Sequence, residues 1–215
     1  MGSNLAHRWL LAQQEYAVRT PELRAAGQMA FSFREEISAF PPVLKWAGGK
    51  RWLVPYLREY WQQHNHRRLV EPFCGGMAVA LGLAPERALL NDINPHLINF
   101  YRWLKKGLKF DRQMGNDEAH FYAAREHFNE LVRSNNFSNK EAAELFYYLN
   151  RTGYNGLCRF NRSGEFNVPF GRYKRINYAT DLTPYARIID DWEFSCSDFE
   201  RLTVELDDFI YADPT

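Results

Sequence analysis

The 215-residue chain carries 46% hydrophobic and 25% charged residues, ordinary globular values that exclude a disordered tail or a fibrous repeat and suit one large domain or two small ones. Its 27 Lys and Arg nearly balance 26 Asp and Glu, so the formal net charge of +1 gives no global pull toward a polyanion or an anionic membrane. A nucleic-acid site, if there is one, has to be a local patch.

The cysteines Cys74, Cys158 and Cys196 are odd in number and far apart, which argues against a disulfide framework or a zinc site and for a reducing, cytosolic setting. No stretch approaches the roughly 18 consecutive apolar residues of a membrane span. Residues 1–40 read as an N-terminal extension in which Leu10, Leu11, Tyr16 and Val18 give a patchy helical period, ending at Pro41-Pro42.

Lys45-Trp46-Ala47-Gly48-Gly49-Lys50 then forms a Gly-rich turn, followed by a helix with Leu53, Tyr56, Leu57 and Tyr60 at helical spacing. It is either an ordinary helix start or a place where backbone N–H groups and Lys45 and Lys50 meet an anionic ligand. A P-loop is excluded, since the spacing is wrong and no Ser or Thr follows Lys50. Arg68-Leu69-Val70-Glu71-Pro72-Phe73-Cys74-Gly75-Gly76 is a short apolar strand ending in a carboxylate and a glycine turn, with a helix from Met77; strand, turn and helix form the nucleotide-binding start of an α/β sheet. A second strand, Arg87–Asn91, ends at Asp92, which either caps the helix beginning near Pro95 or holds ribose hydroxyls.

Residues 97–150 read as helices, with Leu97, Ile98, Phe100, Tyr101 and Leu104 on one face and then Phe121, Ala124, Phe128, Leu131 and Val132. His120 and His127 lack metal-ligand spacing and read as solvated or core-edge residues. Between residues 151 and 175, Arg151, Arg159, Arg162, Arg172, Lys174 and Arg175 face the single acid Glu165, interleaved with Tyr154, Phe160 and Tyr173. This is either a solvated hairpin turning at Ser163-Gly164 or a patch for phosphate contacts, base-edge bonds and wedging at a base step. A helix over 182–189 and two apolar strands, Trp192–Cys196 and Asp208–Ala212, follow, and the second runs into Asp213-Pro214-Thr215.

Taken in order, Lys-Trp-Ala-Gly-Gly-Lys, Val-Glu-Pro-Phe-x-Gly, Asn-Asp-Ile-Asn and the block Arg151–Tyr173 resemble the Dam-type, or D12-class, DNA adenine-N6 methyltransferases over about residues 43–214. The resemblance implies a Rossmann-like, S-adenosylmethionine-dependent methyltransferase fold of the α/β class. Residues 41–105 and 190–215 would form the donor-binding core and residues 106–189 an inserted helical and β-hairpin recognition domain. It further implies that Trp46, Ala47, Gly48, Lys50, Glu71, Phe73, Gly75 and Asp92 line the S-adenosylmethionine site, with Ser197 and Phe199 beside the donor's adenine. Tyr154 would wedge into double-stranded DNA, Asn155 would lie near the vacated partner base, Leu157, Arg159, Pro169, Tyr173 and Lys45 would read base edges, and Arg172 would grip phosphate. Asp213 and Pro214 would be catalytic, no metal would be needed, and GATC would be the target, in the cytoplasm of a bacterial, archaeal or phage-infected cell.

The family's Asp-Pro-Pro-Tyr motif reads Asp213-Pro214-Thr215 here, without the aromatic platform worth about 1 to 3 kcal/mol for a stacked base. The expectation is a truncated or split methylase lacking the C-terminal part of the sheet, its last strand an edge covered by a partner chain or a second copy. A catalytically incomplete DNA- and donor-binding remnant is the alternative to an active enzyme.

Overall fold

Short, apolar and fully buried, β1 (Leu69–Glu71) and β2 (Ala88–Asn91) have the character of central strands in a parallel sheet. In the computed structural model, which describes residues 40–110, 114–179 and 181–214, they pair in parallel with Val70 opposite Leu89. β3 (Trp192–Ser195) adds beside β2 and β4 (Phe209–Ile210) beside β1, both parallel, giving the order β3-β2-β1-β4. This is the α/β Rossmann-like arrangement expected from the sequence. The strand order reverses between β1 and β4, and a doubly wound sheet binds its ligand at the carboxyl ends of strands beside such a reversal. The patchy period over residues 10–18, and Thr215, lie outside the described residues.

Arg68 fixes β4 on β1. Its guanidinium makes paired bonds to Asp208, Nε to Oδ1 at 2.9 Å and Nη2 to Oδ2 at 2.8 Å, just ahead of the backbone bond from Phe209 N–H to the Arg68 carbonyl. This fork-to-fork geometry holds the Asp208 carboxyl below the usual carboxylate range.

Helix α1 (Val54–Gln62) covers β4 through Trp61, whose ring meets Phe209 edge-on at 5.2 Å. Its buried stripe differs from the one read in the sequence. Val54 and Trp61 are buried and Leu57 is half-buried, whereas Tyr56 and Tyr60 are exposed. The cause lies in α2 (Ala78–Leu83), where Gly82 leaves room for Val54; a Cβ at Gly82 would sit 2.5 Å from the Val54 side chain.

Helix α3 (Pro95–Lys105) begins at Asn94, whose side-chain oxygen accepts from the N–H groups of His96 and Leu97. Asn94, not Asp92, is therefore the cap. Leu97, Ile98, Phe100, Tyr101 and Leu104 are all buried, and α3 packs on α5 (Lys140–Thr152), which in turn packs on α4 (Glu118–Arg133). Helix α6 (Thr183–Ile188) leads into β3. The expected hairpin reduces to an isolated bridge between Phe160 and Phe166 around a turn closed by Gly164 N–H to the Asn161 carbonyl, without a regular ladder.

His96 is enclosed by aromatic rings. Phe128, Phe137 and Phe160 lie 5.0, 4.8 and 4.8 Å from it, centre to centre, and its Nδ1 has no partner. Desolvation lowers its pKa to about 4. The unfolded chain therefore binds the extra proton between about pH 6.5 and 4, and stability present above pH 6.5 is lost as the pH falls through that window, by up to about 3 kcal/mol from this residue. Urea unfolding followed from pH 7 to 4 is expected to show this loss, and His96→Phe is expected to flatten it.

Candidate functional site

The segments that follow β1, β2 and β4 and the loop Trp46–Lys50 converge to form an open cavity lined by Trp46–Lys50, Glu71, Phe73–Gly76, Ala78, Val79, Asp92, Tyr211 and Asp213. Each carboxylate has a distinct setting. Glu71, the last residue of β1, is 2% exposed, and its Oε1 has no hydrogen-bond partner. Burial pushes its pKa up to about 8, with the nearby Asp213 charge acting in the same direction, so the group is largely uncharged at neutral pH. Asp92 accepts from Gly75 N–H through Oδ2 at 3.1 Å and from Asn94 N–H through Oδ1 at 2.9 Å, which ties the β2 end to the glycine turn. Asp213, beyond β4, pairs through Oδ2 with Lys50 Nζ at 2.6 Å.

The glycine turn is held from below and capped from above. Tyr101, buried on α3, donates from its hydroxyl to the Gly75 carbonyl at 2.6 Å, while the Trp46 indole covers the turn. Gly75 has φ +45°, and a Cβ there would lie 2.7 Å from Trp46 Nε1, so both the backbone and the ring require glycine. An orphaned buried carboxyl oxygen and a second, half-buried carboxylate suit a ligand carrying a cation and hydroxyl groups.

Of the residues expected at the donor site, Trp46, Ala47, Gly48, Lys50, Glu71, Phe73, Gly75 and Asp92 are brought together. Ser197 and Phe199 lie outside the lining. Phe199 packs on Phe73 at 5.3 Å, and Ser197 is bonded through its backbone to the Asn91 side chain. Sequence reasoning missed Tyr211, although its place two residues before Asp213, on the same face of an extended segment, was a usable signal.

The residues expected to face DNA gather in a second cluster. Tyr154 N–H bonds to the Pro169 carbonyl, Gly171 N–H to the Thr152 carbonyl, and the Tyr173 hydroxyl to the Gly153 carbonyl, so residues 152–157 and 169–173 form one layer. Lys45 joins it, with Nζ 3.9 Å from the centre of the Tyr173 ring, and does not share an anion-facing position with Lys50. Tyr154 is 50% exposed, Asn155, Leu157, Arg159 and Pro169 are exposed, and Asn155 adopts a left-handed backbone at φ +52°. Arg159 Nε is held by Asn167 Oδ1 at 2.9 Å, and Arg172 pairs with Glu118 at 3.1 Å.

Two members of the basic and aromatic block serve the core instead. Arg151 turns inward to the carbonyls of Val43 and Asn177, and Phe160 packs on His96 and Phe166. The patch is therefore smaller than charge counting implies, and Glu165 within it is matched by Arg133 from α4. Lys45, against Tyr173 in this layer, is followed directly by Trp46 on the cavity wall, and nearby Asn94 Nδ2 lies 3.8 Å from Cys158 Sγ.

Comparison with known proteins places this geometry. Residues 46–215 match the D12 class N6 adenine-specific DNA methyltransferases. The chain is similar to a DNA adenine methylase of Haemophilus influenzae, with 38% identity covering 80% of this chain and 63% of that protein. It is similar also to the retron Ec67 DNA adenine methylase of Escherichia coli, at 34% over 80% of this chain and 62% of that protein, and to the type II methyltransferase M1.LlaDCHI of Lactococcus lactis, at 33% over 80% and 64%. The chain thus spans a little under two thirds of the length of these curated relatives. Together with the parallel sheet and its cavity, the match shows that the chain belongs to the D12 class of N6 adenine-specific DNA methyltransferases.

Proposed function

We propose that the chain acts as a site-specific DNA adenine-N6 methyltransferase that uses S-adenosylmethionine, flips the target adenine and recognises GATC. Residues 41–105 and 190–215 serve as the donor core and residues 106–189 as the recognition region. The observation that carries this reading is that Asp213 stands on the wall of the cavity holding Glu71 and Asp92, one dipeptide away from the Tyr154–Tyr173 layer.

When bound, S-adenosylmethionine supplies an electrophilic methyl group. The cavity fits it: Asp92 offers carboxylate oxygens to the ribose hydroxyls, Phe73 a half-buried ring, and Glu71 an unpartnered oxygen to a cationic group. Lys50 occupies one oxygen of Asp213 and leaves Oδ1 to accept a hydrogen bond from the adenine amine, which localises the nitrogen lone pair toward the methyl group. Pro214 fixes the backbone after Asp213. Extrusion of the adenine costs a few kcal/mol, and Tyr154, exposed on a pinned loop, is placed to fill the gap in the stack. Alignment and electrostatics carry the transfer.

Transfer of labelled methyl groups from S-adenosylmethionine to a GATC duplex but not to a GATT duplex is the expected outcome with this chain. Label on neither duplex, with donor and DNA binding intact, selects an incomplete remnant or one subunit of a split methylase, and label on both overturns the specificity. Arg172→Ala is expected to weaken all duplexes alike and to lower the salt slope by about 1, whereas Arg159→Ala should cost about 1 to 3 kcal/mol on the target and relax base preference; anisotropy titrations across salt concentrations separate the two. Because Glu71 is largely protonated at pH 7, a cationic donor that favours its ionised form should release up to roughly one proton on binding. Calorimetry in two buffers of different ionisation enthalpy is expected to show this release in the wild type, reduced by that amount in Glu71→Gln.

A further inference from the structure

The dipeptide Lys45-Trp46 lies between two glycines from opposite halves of the site. Trp46 covers Gly75 and Gly76 on the donor side. Lys45 presses on Gly156 on the recognition side, where φ is +62° and a Cβ would fall 2.4 Å from Lys45 Cβ. Asn150, near the end of α5 and fully buried, grips the same dipeptide. Its Oδ1 accepts from Lys45 N–H at 2.9 Å, and its Nδ2 donates to the Lys45 carbonyl at 2.8 Å. A side-chain amide thus completes, across 105 positions of sequence, the donor and acceptor pair that a neighbouring strand would supply. Asn94 Nδ2 reaches Cys158 Sγ only at 3.8 Å, and sulfur is a weak acceptor, while Asn99 Nδ2 donates to the Asn139 carbonyl at 2.9 Å farther along α3; Asn150 is the side chain that holds the Lys45-Trp46 dipeptide itself.

We propose that Asn150 is the positioning residue that keeps the donor loop and the DNA-recognition layer in register, so that one side chain sets the geometry of both sites. It touches neither ligand; it acts through Lys45, which meets Tyr173, and through Trp46, which roofs the donor cavity. The inference rests on the methyltransferase reading above. An isosteric change tests it. In Asn150→Asp the carboxylate still accepts from Lys45 N–H but opposes the Lys45 carbonyl, whereas its protonated form can make both bonds. Burial favours that neutral form, and the nearby cations Lys45, whose Nζ bonds to the Arg151 carbonyl, and Arg151 favour the charged one.

The experiment uses the 215-residue chain, with S-adenosylhomocysteine titrated by calorimetry and a labelled GATC duplex by anisotropy. At pH 8, where the charged form is favoured most, Asn150→Asp is expected to weaken both ligands at least tenfold. Tyr185→Phe is the control. It removes another long-range bond, from the Tyr185 hydroxyl to the Pro41 carbonyl at 2.8 Å, between residues that line neither cluster, and should leave both affinities within twofold of wild type. If Asn150→Asp does not fold, Asn150→Ser, which adds no charge and is too short to span both Lys45 groups, carries the same pH 8 expectation. Wild-type binding with unchanged affinities in the Asn150 variant, loss of one ligand only, or equal losses in Tyr185→Phe overturns the positioning role alone. A wild-type chain that binds neither ligand overturns the methyltransferase reading and this inference with it.

Discussion

Parallel pairing of β1 with both β2 and β4 is the constraint from which the rest of the molecule follows. Parallel strands end together, so Glu71, Asp92 and Asp213, far apart in the chain, emerge on one rim. β4 contributes only two paired residues, too few to define a register by themselves. The Arg68–Asp208 fork supplies what those residues lack: it seats the start of β4 against β1 and so determines where Asp213 arrives.

The rim was legible in the sequence because its chemistry follows a local rule. A short apolar run ending in Glu71 and Gly75-Gly76, and another ending in Asp92, announce strand ends where ligands gather. The face of α1 was not legible. Leu53, Tyr56, Leu57 and Tyr60 satisfy helical spacing as well as Val54, Leu57 and Trp61 do, and only the space left by Gly82 on a different helix selects the second set. Charge counting failed for Arg151 for a similar reason: sequence carries the sign of a side chain but not its direction, and this one satisfies backbone carbonyls inside. Asn150 gives no pattern signal at all, since a single amide in an apolar helix looks like an interruption until its partner on a distant loop is known.

The aromatic abundance divides into two kinds of work. Phe128, Phe137, Phe146 and Phe160 surround His96 and join their own segments to the first turn of α3, where ring packing supplies rigidity without polar bonds. Tyr154 stays half exposed, and its loop is pinned at the backbone to Pro169. Under the base-flipping reading proposed above, a ring on so pinned a loop would lose little further conformational freedom on entering a base stack.

The glycines that enclose Lys45-Trp46 also bear on how such a protein can change over generations. Gly75 belongs to the turn after β1 and Gly156 to the layer around Tyr154, yet each is shaped to a side chain of the same dipeptide. Bulk added at either position displaces that dipeptide and is felt at the other. The two clusters therefore cannot drift independently: the exposed side chains around Tyr154 are free to vary, while the buried seam beneath them constrains both.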